Sequence, residues 1–104
     1  MNPGCTLVAH LHAKPEKRAE LIKIMEGFVV PTRAEPDCVE YHLHVSDDDP
    51  NHFLFYENWK TRKALDEHLE MPYLTSFWAK RMDLLTQDVD IKFYTMKSAY
   101  NLKK

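Results

Sequence analysis
Cys38-Val39-Glu40-Tyr41-His42-Leu43-His44-Val45, then Ser46-Asp47-Asp48-Asp49-Pro50-Asn51, then His52-Phe53-Leu54-Phe55-Tyr56-Glu57-Asn58-Trp59: this run decides the fold. Its first part alternates Val39, Tyr41, Leu43 and Val45 with Cys38, Glu40, His42 and His44, the period of a half-buried strand. The middle is dense in residues that favour turns, so the chain reverses there. The last part alternates again, with Leu54 and Tyr56 opposed to Phe53, Phe55, Glu57 and Trp59. A β-hairpin with strands at 38–45 and 52–59 follows.

Working outward, Thr6–Ala13 alternates Leu7, Ala9 and Leu11 with Val8, His10 and His12 and reads as a strand. Lys14-Pro15-Glu16 starts a helix, because proline tolerates the first turn and an acid suits the positive end of the dipole. Leu21, Ile22, Met25, Phe28 and Val29 then give one apolar stripe, and Pro31 and Pro36 bracket its end. On the other side of the hairpin, Thr61 is an N-cap for a helix that carries Leu65, His68 and Leu69. Pro72 breaks this helix and starts a shorter one through Phe77, Trp78 and Met82. Val89–Met96 is a last strand, with Ile91 and Phe93 opposite Lys92 and Tyr94. The order strand, helix, strand, strand, helix, strand predicts an α+β fold, the ferredoxin-like βαββαβ sandwich with helices on one face of an antiparallel sheet.

A chain of 104 residues with no internal linker predicts a single domain over residues 1–104. Net charge is −2 with Lys and Arg scattered, and the Lys103-Lys104 tail is too short to alter that, which argues against a nucleic-acid partner. No apolar run approaches the ~20 residues of a membrane span. Met1-Asn2-Pro3-Gly4-Cys5 lacks the basic and apolar regions of an export signal, so a cytoplasmic location is expected, with Cys5 and Cys38 as reduced thiols.

The register of the hairpin decides what each sheet face carries. Pairing Val45 with His52 sets Leu43 against Leu54 and Tyr41 against Tyr56, giving an apolar face of Leu7, Leu11, Val39, Leu43 and Leu54 for the helices. The second face then collects His10, His12, His42, His44, Phe53, Phe55, Glu57 and Trp59. Rings of this size exceed the apolar patch that a soluble monomer usually exposes, so a homodimer with facing sheets is expected, enclosing a partly polar cavity.

The pairs His10/His12 and His42/His44 raise the question of a metal, since residues two apart on a strand share a face. With the third strand between the first and second, the pairs stand ~9–10 Å apart, too far for one ion with bonds of ~2.0–2.1 Å. No dedicated metal site is expected; histidines lining a cavity and able to move protons near neutral pH are the simpler reading. Asp47-Asp48-Asp49 lacks the glycine and distal glutamate of a calcium loop and reads as a solvated turn.

Pro31-Thr32-Arg33-Ala34-Glu35-Pro36-Asp37-Cys38, Tyr41-His42, Asp48-Asp49-Pro50, Phe55-Tyr56-Glu57-Asn58-Trp59, and Leu65-Asp66-Glu67-His68-Leu69 with Met71-Pro72 resemble the antibiotic biosynthesis monooxygenase family, nearest its quinol monooxygenase branch. The likeness runs from Thr6 to about Met82, with the last strand fitting only in pattern. It implies a dimeric α+β barrel, and oxygenation or oxidation of hydroquinone-type aromatics by dioxygen without metal or flavin. The same domain also serves haem degradation and autoinducer processing, so the resemblance bears on fold more firmly than on reaction. Asp37 stands where the family usually has glycine, and Tyr73 where a histidine often follows the proline.

Dioxygen is a triplet, so an oxygenase without cofactor needs a substrate that donates one electron, which a deprotonated dihydroxy-aromatic does. The protein must supply a base, a flat apolar slot and donors to the anion. Glu57 or His68 is the candidate base, Trp59 and Phe55 the candidate walls, and His10, His12 or His42 the candidate anion donors. A plainer reading makes Glu57 a hydrogen-bonded pin for the helix start and His68 a core-edge histidine. Two other functions stay open. An isomerase of a phosphorylated signal would need convergent cations, for which Arg33 and Lys14 are the candidates; the other is a non-catalytic ligand-binding dimer.

Overall fold
A computed structural model describes residues 4–98; Met1-Asn2-Pro3 of the leader reading and the Lys103-Lys104 tail lie outside the described residues. The alternating segments form strands β1 (Cys5–His12), β2 (Cys38–Val45), β3 (His52–Trp59) and β4 (Asp90–Thr95), in the spatial order β2-β3-β1-β4 with every pair antiparallel. Helices α1 (Arg18–Arg33), α2 (Arg62–His68) and α3 (Pro72–Lys80) cover one face, so the fold is ferredoxin-like α+β. Among the described residues no helix is long and apolar enough to cross a membrane.

Local chemistry accounts for the helix ends. A single 3-10 turn at Pro15–Lys17 leads into α1, and the stripe Leu21, Met25, Phe28 and Thr32 is buried at helical spacing. Pro31 lies inside the last turn of α1 rather than beyond it. Its missing N–H would have bonded the carbonyl of Gly27, a solvent-exposed residue, so the helix tolerates it and ends at Arg33. The side chain of Thr61 caps α2 by accepting from the Ala64 N–H at 3.1 Å, and Pro72 opens α3 from its first turn.

The hairpin register differs from the expected one by a single residue. Val45 pairs with Phe53, Leu43 with Phe55 and Tyr41 with Glu57. The cause lies in the turn: the His52 N–H bonds back to the Asp49 carbonyl at 3.1 Å and the Ser46 N–H bonds the His52 carbonyl at 2.8 Å, which sets His52 opposite Ser46 and leaves Phe53 for Val45. A slip of one residue exchanges the faces of a strand. Phe53, Phe55, Glu57 and Trp59 therefore lie beneath the helices with Leu7, Ala9, Leu11 and Tyr41. The other face carries His10, His12, His42, His44 and His52 with Val8, Leu54 and Tyr56. The large rings counted toward an exposed patch are thus buried: Trp59 is 0% exposed and Phe55 5%.

Candidate functional site
Three separate elements converge where β3 ends. Alternation on β3 brings Glu57 and Trp59 to the same side, and the Trp59 Nε1–H donates to Glu57 Oε1 at 3.0 Å. Leu65 and His68, three residues apart on α2, are both buried, which aims the imidazole at the same spot. The His68 ring lies 4.7 Å from the Trp59 ring, and its Nε2 is 3.7 Å from Glu57 Oε1. Behind it, His68 Nδ1 meets Glu35 Oε2 at 2.9 Å. The Tyr73 hydroxyl, from the first turn of α3, donates to that same oxygen, and Thr32 Oγ1 of α1 lies 2.9 Å from the Tyr73 hydroxyl.

Glu57 and His68 face a cavity of about 280 Å³ between sheet and helices. Its walls are mostly apolar, with Ala9, Leu11 and Phe55 from the sheet and Phe28, Leu74 and Phe77 from the helices. Glu70 also borders it, but among the described residues no lysine or arginine lines it. Burial pushes the Glu57 carboxyl up from 4.5 to about 7, against the opposing hydrogen bond from Trp59 and with help from the charge of Glu35. Burial lowers His68, while its hydrogen bond to Glu35 works the other way. The hydroxyls of Tyr41 and Tyr73 are both held well above the ordinary phenol range, chiefly by burial. Cys38 is likewise raised by burial, to about 11, which leaves it a thiol at neutral pH.

The structure thus brings Glu57, His68 and Phe55 to one cavity, with Trp59 directly behind Glu57. It does not bring His10, His12 or His42 there: they lie on the helix-free face, as expected, but the corrected register turns Phe55, Glu57 and Trp59 to the other side of the sheet. There His10 Nδ1 and His52 Nε2 stand 2.9 Å apart, and His12 stacks on His52 at 4.4 Å. Among the described residues no group of three His, Cys, Asp or Glu side chains is placed to hold a metal ion. Arg33 directs Nε and Nη2 to the Tyr41 carbonyl, at 3.0 and 2.9 Å, and Lys14 does not line the cavity. Glu35, Tyr73 and Thr32 were not picked out as site residues by the sequence reading. Their partners lie 33 to 41 positions away, a separation that no local period reveals, although Glu35 and Thr32 fall within the quoted motif.

Comparison with known proteins agrees with this architecture. An uncharacterised protein of Synechocystis, sll1783, is 35% identical over 96 residues; the match covers 92% of this chain, which spans 65% of that protein's length. The crystal structure of PA3566 from Pseudomonas aeruginosa superposes with a TM-score of 0.86 at 30% identity, covering 94% of this chain and 98% of that one. The structure of Rv0793 from Mycobacterium tuberculosis superposes with a TM-score of 0.88 at 28% identity, covering 94% and 99%. The pattern that defines antibiotic biosynthesis monooxygenases matches residues 5–80, which include β1, the hairpin, Glu57, Trp59 and His68. The chain belongs to the antibiotic biosynthesis monooxygenase family.

Proposed function
We propose that the protein is a cofactor-independent monooxygenase acting on a small hydroquinone-type aromatic, with dioxygen as co-substrate. The observation that carries this reading is a carboxyl raised to about 7 at the inner wall of an otherwise apolar cavity. A base poised there takes the phenolic proton, and the resulting anion gives one electron to dioxygen. Recombination forms a carbon–oxygen bond and the returned proton makes the hydroperoxide; the O–O bond then breaks as the oxygenated carbon loses its hydrogen, and the second oxygen atom leaves as water with both hydrogens. The balance is hydroquinone plus dioxygen to hydroxyquinone plus water. Trp59 orients Glu57, Phe55 supplies a flat wall, and His68, 3.7 Å from Glu57, offers a second acceptor for the substrate's proton. The absence of lysine and arginine from the cavity lining, among the described residues, speaks against a phosphorylated substrate.

The reading also includes a homodimer in which the helix-free face meets a second copy, as the family resemblance suggests. The support is the sheet itself, whose face opposite the helices is uncovered in a single chain. Solution mass decides it, with twice the chain mass expected.

Oxygen uptake with menadiol, using metal-free and flavin-free protein, tests the activity. Uptake should rise with pH through an inflection near 7, the value to which Glu57 is raised. Glu57→Gln should lower it on the order of 10²-fold and remove the inflection. Full uptake in Glu57→Gln, or none in the wild type across a quinol panel, would sink the proposal.

A further inference from the structure
We propose that Glu35, Tyr73 and Thr32 are positioning residues that hold His68 in the tautomer protonated on Nδ1, leaving the Nε2 lone pair free toward Glu57 and an incoming hydroxyl. This rests on the reading of the cavity as a proton-abstracting site.

The direction of each hydrogen bond follows from its neighbours. Glu35 Oε2 takes two donors, the Tyr73 hydroxyl and His68 Nδ1 at 2.9 Å. A carboxylate only accepts, so the hydrogen between Glu35 and His68 sits on Nδ1. Tyr73 has committed its own hydrogen to Glu35, so in the 2.9 Å contact with Thr32 the threonine hydroxyl is the donor. The chain therefore runs from Thr32 to Tyr73 to Glu35, with His68 feeding in from the other side. None of its members has to touch substrate.

Burial makes the arrangement rigid. Thr32 is 0% exposed and the Glu35 side chain 8%, so solvent offers little competition for these bonds. The chain also joins the end of α1, the following loop, α2 and α3 at one point, which fixes the plane of the imidazole. His68 Nε2 is 3.7 Å from Glu57 Oε1, longer than a hydrogen bond, so the two groups do not saturate each other and a substrate hydroxyl can reach either. When Nε2 takes a proton, the cation that forms keeps its second N–H on the Glu35 carboxylate. A carboxylate behind an imidazole does the same in the Ser-His-Asp triad, where it sets tautomer and orientation.

The test reads the ring nitrogens of His68 by 15N NMR across a pH titration of the full-length chain, together with quinol oxidation kinetics. In the wild type above neutrality, Nδ1 should carry the proton and Nε2 should not. Glu35→Gln should lower the His68 titration midpoint and cut kcat on the order of 10²-fold while KM moves by less than about threefold. Tyr73→Phe should keep the Nδ1–H tautomer but raise the midpoint, since Glu35 then has His68 as its one side-chain donor. If Glu35→Gln does not fold, Tyr73→Phe carries the same two readouts. A wild-type His68 protonated on Nε2, or variants whose tautomer and midpoint are unmoved, would overturn the inference. An Nδ1–H tautomer in a chain that turns over no quinol would support it and defeat the proposed function instead.

Discussion

The two faces of the sheet draw on similar residues and put them in different physical situations. Beneath the helices, Trp59 bonds Glu57 and His68 bonds Glu35, two buried pairs that meet across 3.7 Å beside an apolar cavity. On the opposite face five histidines stand partly in solvent, and His10 bonds to another histidine, His52. An abundance of histidine alone does not mark a site. Water on the open face screens charge, whereas burial under the helices magnifies every charge and hydrogen bond. That contrast is why Glu57 and His68 are displaced from their ordinary values, in opposite directions.

Adjacent aromatics on β3 give the largest test of this contrast. Phe55 is 5% exposed and packs against Tyr41 and Phe28, while Tyr56, the next residue, is 37% exposed on the open face. Phe55→Ala should cost ~3–5 kcal/mol by chemical denaturation. Tyr56→Ala in the monomer should cost about 1 kcal/mol, as expected for a half-exposed side chain. Equal costs would contradict a register that buries Phe55 beneath the helices and leaves Tyr56 on the open face.

A second test uses pH. Because Glu57 rises from 4.5 to about 7, the folded chain keeps a proton between those values that the unfolded chain has lost. Its contribution to stability is full below pH 4.5 and is lost as pH rises through 7. His68, being lowered, acts in the opposite sense, contributing above its ordinary value of 6.5 and losing that contribution as pH falls through its folded value. Glu57→Gln should flatten the alkaline loss and make the chain more stable above pH 8, on the order of 2 kcal/mol, while lowering activity. Unchanged alkaline stability in that variant would place Glu57 in a wetter setting than the cavity wall.

The smallest effect concerns the loop that delivers Glu35. Asp37 adopts φ 67°, the left-handed region that favours glycine, at the position where the family usually has one. Aspartate tolerates this conformation better than most residues but with some strain. Asp37→Gly should therefore stabilise by about 0.5 kcal/mol, read as a shift in denaturation midpoint with unchanged slope. Its distant ion pair with Lys60, at 4.0 Å between exposed groups, adds little to the balance.

Much of this architecture was legible in the sequence, for reasons that particular residues make plain. Strict alternation on β1, β2 and β3 and the prolines at 15 and 72 fixed the order and type of the elements. The i, i+2 spacing of Glu57 and Trp59, followed by a capped helix carrying His68, put those three in view, and the family resemblance tipped them toward function. The register was not legible, because the acidic turn offers closure at His52 or Phe53 and the bonds of His52 to Asp49 and Ser46 decide. That one step carried Phe55 and Glu57 away from His10, His12 and His42. Glu35 and Tyr73 escaped for a different reason: their roles exist only once α1, α2 and α3 have packed, and neither lies on a periodic face.

The central claim is that the working groups lie beneath the helices and not on the open face. Oxygen uptake with menadiol, measured side by side for a Glu57→Gln/His68→Ala double variant and a His10→Ala/His12→Ala/His42→Ala triple variant, tests it most directly. The double variant should lose activity on the order of 10²-fold or more, and the triple variant should stay within about threefold of wild type. A triple variant without activity beside a double variant that retains it would contradict the account.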